Sequence, residues 1–199
     1  MARFHVQTLV DPGKAVFRYR LTNDGPQPIF VRNRFPASIA HPDSVDRRDH
    51  SSGSAHVFLL PTRELLLFQG VTFGLHETAA RSDQPAATKL SPGKTLDATI
   101  ALRLPIRQAR NGKSARRFAP LIKTSSYTLV VEAWLRPTET EEIEGSDAVT
   151  VIAAEVDRYR YSGDLGAEVE VVTDADCTEL GQMLEVMIRK GLRASELGR

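Results

Sequence analysis

The stretch Leu96-Asp97-Ala98-Thr99-Ile100-Ala101-Leu102-Arg103-Leu104-Pro105-Ile106 places apolar side chains at every even position and polar ones at Asp97, Thr99 and Arg103. Successive side chains of a strand point to opposite faces, so this period of two describes a strand with one face on a core and the other in water. The segment from Ala15 to Thr22 repeats the pattern, with Phe17, Tyr19 and Leu21 set against Arg18, Arg20 and Thr22. From Tyr127 onward, Leu129, Val131, Ala133 and Leu135 do the same. Pro-Gly-Lys precedes two of these strands, at 12–14 and 92–94. Proline fixes φ at the second position of a turn and glycine supplies a positive φ at the third, so both read as type II turns.

Working outward, further strands are expected at Phe4 to Val10, Ile29 to Phe35, Val57 to Leu60, Leu65 to Val71, Val149 to Val156 and Ala167 to Val172. Asn23-Asp24-Gly25-Pro26 carries turn chemistry and predicts a hairpin between 15–22 and 29–35. Leu65-Leu66-Leu67-Phe68 is apolar on both sides, the pattern of a central strand covered on both faces or of one turn of buried helix, and its shortness and the Gln-Gly that follows favour the strand. Only the C-terminus changes period. Asp176-Cys177-Thr178-Glu179 has capping-box spacing, and Leu180, Met183, Leu184, Met187 and Ile188 recur at intervals of three and four before Lys190-Gly191. The expectation is an all-β antiparallel sandwich over 1–161, with an extension over 162–199 whose strand and amphipathic helix pack on the same domain.

Leu21-Thr22-Asn23-Asp24-Gly25-Pro26-Gln27-Pro28-Ile29-Phe30-Val31 resembles the first strand-turn-strand of bacterial immunoglobulin-like domains. Leu90-Ser91-Pro92-Gly93-Lys94 with its long strand, followed by Tyr127, resembles their later E and F strands. The resemblance spans residues 3 to 160. It implies an immunoglobulin-like sandwich with Tyr127 as the corner tyrosine whose hydroxyl pins a bend. The chain departs from the pattern in lacking a cysteine pair and in carrying Trp134 on the later strand. Such folds host unrelated functions, so the resemblance implies no activity.

The 199 residues are 41% apolar and 26% charged, with 26 Lys plus Arg against 25 Asp plus Glu, a formal net charge of +1. That composition belongs to a globular domain and excludes a globally basic nucleic-acid binder. The single cysteine, Cys177, forms no internal disulfide and no structural zinc site, and no cofactor is expected. The first twenty residues hold no apolar run of signal-peptide length and no segment is apolar enough to span a bilayer, so a cytoplasmic location without membrane contact is expected.

The neutral total hides a divided chain. From Ala98 to Val131 there is no acid, while Arg103, Arg107, Arg110, Lys113, Arg116, Arg117 and Lys123 supply the charge. Acids then dominate from Glu132 to Ile188. The basic connection from Arg107 to Ser126 is a candidate for pairing with acidic protein surfaces, or with a polyanion backbone through 103–123, although Phe118 is the only aromatic there to stack on bases. Trp134 offers large area with little entropy to lose, and joins Arg107, Arg110, Arg116 and Arg117 as a candidate binding residue. Leu180, Met183, Leu184 and Met187 are candidates for a partner helix. The loop from Pro36 to His56 gathers His41, Asp43, Asp46, Asp49, His50 and His56. These are metal-ligand types, and a metal-dependent hydrolase using His41, Asp43 and His50 is a second alternative. The loop's serines, glycine and arginines, and its lack of helical ligand spacing, argue for a solvated connection with no metal. The leading expectation is a non-catalytic module that binds another protein or itself through long loops, a sheet edge or the C-terminal helix.

Overall fold

Two long strands, β1 (Ala2–Asp11) and β2 (Lys14–Asn23), form an uninterrupted hairpin in which all ten residues of each pair, from Ala2 with Asn23 to Asp11 with Lys14. Pro12-Gly13 makes the turn, and Gly13 takes φ of 91°. The third strand, β3 (Ile29–Arg34), is followed by β4 (His56–Leu59), β5 (Leu65–Gln69), β6 (Ala86–Leu90), β7 (Thr95–Arg103) and β8 (Ile106–Arg107). Then come β9 (Leu121–Leu135), β10 (Glu139–Glu142), β11 (Ala148–Ile152) and β12 (Glu155–Val172). The computed structural model describes residues 2–35, 53–70, 86–107, 120–137, 139–142, 148–152 and 155–173, with Gln182, Glu185 and Val186. The protein is mainly β in these residues, with Gln182, Glu185 and Val186 helical.

The strands form two sheets. One is β1-β2-β7; the other runs β10-β11-β6-β3-β9-β12-β8, with β5 pairing parallel to β9 and β4 antiparallel to β5. They pack face to face around one core. Val6, Phe17, Tyr19, Leu21, Ile100 and Leu102 of the small sheet meet residues such as Val31, Val57, Leu67, Leu129 and Val131 of the large one. Phe17 and Tyr127 meet edge to face across it, with ring centroids 5.0 Å apart. Each such side chain, fully buried, contributes roughly 1.5–3 kcal/mol.

Several expectations are corrected. The strands at 15–22 and 29–35 form no hairpin, because both edges of β2 are taken, by β1 and by β7. The chain crosses instead to the other sheet. Asn23 fixes that crossing, donating from Nδ2 to the carbonyls of Gln27 and Leu90 and accepting from the amide of Gly25. The run from Leu96 to Ile106 is two strands. Its alternation survives, but Pro105 lacks an N–H, and after the cis Leu104-Pro105 bond Ile106 pairs with β12 in the other sheet. The connection expected to end at Ser126 ends earlier, since β9 begins at Leu121. Two strands arise where none was expected, β6 and, within the acid-rich stretch after Glu132, β10. The runs at 149–156 and 167–172 become β11 and the far end of an 18-residue β12 that passes unbroken through position 161.

The central-strand reading of Leu65 to Phe68 holds: every residue of β5 is buried. Tyr127 lies inside β9, and its hydroxyl meets that of Thr8 on β1 at 2.5 Å, tying the two sheets together instead of closing a bend.

Candidate functional site

On β9, Glu132 faces away from the shared core, beside Trp134 and Val130, on a face the alternation reads as outer. That face is buried. Val130 and Phe68 are fully enclosed, and Phe30, Ala87, Val149 and Val151 form a second apolar cluster against which Trp134 packs. Strand pairing sets Arg158 of β12 directly opposite Glu132, and Arg32 of β3 reaches it from the other side. Glu132 Oε1 accepts from Arg158 Nε at 2.9 Å, and its Oε2 lies 3.6 Å from an Arg32 terminal nitrogen. The side chains of Arg32 and Glu132 are each 4% exposed and that of Arg158 13%. The Arg32 guanidinium lies 4.0 Å over the Trp134 ring, a cation–π contact. Gly70 makes room for the carboxylate, since a Cβ there would stand 2.5 Å from Glu132 Oε2.

Among the described residues this is a buried group of two cations and one anion. Burial pulls the Arg32 guanidinium down to about 10 despite the neighbouring carboxylate, so desolvation outweighs the attraction. Nothing in the group is a nucleophile or an acid–base pair; its chemistry is positional. It connects β3, β9 and β12 through their side chains.

A second polar group bridges the sheets. The Tyr19 hydroxyl donates to Gln69 Oε1 at 2.7 Å, and Gln69 Nε2 donates to the Ser54 carbonyl at 2.7 Å. Burial pushes the Tyr19 phenol well above its ordinary value.

Two accessible surfaces stand out among the described residues. A groove of about 550 Å³ runs over the outer face of β1-β2-β7, lined by His5, Gln7, Arg18, Arg20, Asp97 and Thr99. Its carboxylate, Asp97, is held by Arg20 at 2.7 Å, the ordinary arrangement of a solvated sheet face. The other surface is the outer edge of β1. At the two ends of the β2–β7 ladder, the Asn23 amide donates to the Lys94 carbonyl and the Leu104 amide to the Gly13 carbonyl. Odd residues of β2 therefore bond β7, and even residues bond β1. Their partners on β1 are the odd residues, so Ala2, Phe4, Val6, Thr8 and Val10 aim their N–H and C=O groups outward. Among the described residues no strand pairs with them.

The core is incompletely closed on this side. Ala2, Phe4, Thr8 and Val10 are only partly buried, as are Tyr159 and Tyr161 of β12 beneath them, with Phe4 and Tyr159 ring centroids 6.3 Å apart. On the opposite edge, the inward residues Ile100 and Leu102 of β7 are fully enclosed. Leu9, on the outer face of β1, is 51% exposed.

Comparison of the chain with protein-family profiles, with curated proteins and with solved structures returns no match.

The sequence-predicted residues are dispersed. Trp134 is partly buried, packed on the second apolar cluster and under the Arg32 guanidinium. Arg103 ends β7, Arg107 ends β8, and Lys123 sits on β9 with its ammonium 3.4 Å from Glu168. Arg110, Arg116 and Arg117 fall outside the described residues, as do His41, Asp43, His50, Cys177 and the helix residues Leu180, Met183, Leu184 and Met187. His56 is buried and packs edge-on against Phe35 at 5.4 Å. Among the described residues no three His, Cys, Asp or Glu side chains gather to hold a metal, and no helix is long and apolar enough to cross a membrane. Sequence reasoning missed the Arg32–Glu132–Arg158 group. Its available signal was that Phe30 and Val130 are apolar where a wet face was expected, which marks the middle of the large sheet as covered on both sides.

Proposed function

We propose that the chain is an immunoglobulin-like β sandwich acting as a non-catalytic protein-binding module, with the outer edge of β1 as its docking site. The observation that carries this reading is a ten-residue edge with unbroken register, outward backbone groups that no strand among the described residues pairs, and partly exposed apolar residues beneath it. Long regular edges are ordinarily blunted by charge, proline or bulges. The far edge of the other sheet, β10, is so protected: it reads Glu-Thr-Glu-Glu. The β1 sequence between Arg3 and Asp11 carries neither proline nor a formally charged residue. An added strand would take its affinity from main-chain hydrogen bonds and its specificity from alternate side chains, which is recognition by β-augmentation.

Thr8→Pro tests it. The Thr8 amide points outward, so proline removes a docking donor without costing a bond to β2, and edge strands tolerate proline. Thr8→Val, which loses only the hydroxyl contact with Tyr127, is the control. Tagged wild type and Thr8→Val are expected to retain a stoichiometric protein from lysate of the producing cells, the untagged chain itself included, and Thr8→Pro to lose it. Equal capture by all three, or none by any, would overturn the reading.

A further inference from the structure

Resting on that reading, we infer that the strand docking on β1 is the β1 of a second copy, antiparallel about a two-fold axis through Gln7. Because the even residues carry the free backbone groups, an antiparallel partner of the same sequence must set even residues against even and odd against odd. The Gln7-centred register pairs Phe4 with Val10 and Val6 with Thr8 on the core side, apolar groups continuing the core. On the outer side it pairs His5 with Leu9, covering an exposed leucine, and Gln7 with its own counterpart.

The ends decide between registers. Arg3 of each copy falls opposite the second copy's Asp11. Within one chain Arg3 is held by Asp24 at 2.7 Å, and Asp11 lies 3.9 Å from Lys14. The dimer would therefore carry, at both ends, a row of Asp24, Arg3, Asp11 and Lys14 with alternating sign. Centring on Val6 instead sets Arg3 against Leu9 and leaves Asp11 beyond the ladder. Centring on Thr8 shortens the ladder and leaves Arg3 outside it. The Gln7 register alone is both long and charge-matched.

Sedimentation of the whole chain across a concentration series tests this. Wild type is expected to dimerise and Thr8→Pro to remain monomeric. Arg3→Asp leaves three acids in each terminal row, and Asp11→Arg leaves three cations there. Each alone is expected to weaken the dimer about tenfold. Mixing these two variants recreates an Arg–Asp pair at both ends, so a heterodimer should form with near wild-type affinity. That rescue is invisible to any effect on folding alone.

A monomeric wild type overturns the self-pairing, and so does a dimer that survives Thr8→Pro. A dimer lost in Thr8→Pro but insensitive to the charge changes, or not rescued by mixing, overturns the Gln7 register. If wild type is monomeric yet loses a captured protein on Thr8→Pro substitution, self-pairing falls and the edge-binding reading stands. If capture is also unaffected, both fall.

Discussion

Glu132 holds two guanidinium groups in the second layer of the protein, and the arithmetic of that group is unbalanced. A buried pair roughly offsets its own desolvation, whereas stripping one partner leaves uncompensated charge. Glu132→Gln is thus expected to lower stability by about 3 kcal/mol, read as a shift in urea midpoint, because the buried guanidinium groups of Arg32 and Arg158 would lose the carboxylate that lies between them. The triple change Arg32→Met, Glu132→Leu, Arg158→Met is expected to lie within about 1 kcal/mol of wild type, since the apolar chains refill the volume. A triple variant as unstable as the single one would show that the group contributes more than its charge balance. None of this was legible from the alternation, which makes Arg32 and Glu132 the wet side of half-buried strands. What reverses the assignment is non-local: three strands distant in sequence converge, and Gly70 adds the space.

Strands and turns were the most readable level. Alternation at Phe17 to Leu21, at Leu96 to Leu102 and at Leu129 to Leu135 located β2, β7 and the later half of β9, since a two-residue period needs no partner to be recognised. Gly13 and Gly93 both take the positive φ that the Pro-Gly turns require, 91° and 72°. The length of β12 was not readable, because its middle is irregular: the register with β9 shifts between Asp164 and Val169. There Gly166 sits at φ 74° and its amide donates to Asp164 Oδ1 at 2.6 Å. Gly166→Ala has free space but an unfavourable backbone, and is expected to cost about 1 kcal/mol in thermal or urea unfolding. No loss would mean that the bulge relaxes to a negative φ. The edge of β1 belongs to this scale too. Its residues were legible as a strand, but its lack of a neighbour was not.

Across the whole molecule, the two sheets are joined by tyrosines whose ionisation the fold resists. Burial raises the phenols of Tyr19, Tyr127 and Tyr159 above their ordinary value. A raised folded-state pKa contributes stability that is fully present below the unfolded value, near pH 10, and is lost as pH climbs toward the folded one. Arg32 has the opposite sign: its folded value of about 10 lies below the unfolded one, so its penalty is relieved as pH rises through the same window. With three groups against one, stability is expected to fall above about pH 10, and Tyr19→Phe to flatten the decline in urea titrations. Identical slopes in wild type and variant would remove Tyr19 from the account. By itself the sequence determined the all-β character, the turn positions and the wholly buried β5, because side-chain period and backbone preference act within a few residues. Only tertiary structure decided which strands share a sheet, that the middle of the large sheet is buried on both faces, and that β1 is left at an edge among the described residues. Those depend on which backbone donors are already taken, and that count closes only when distant strands have met.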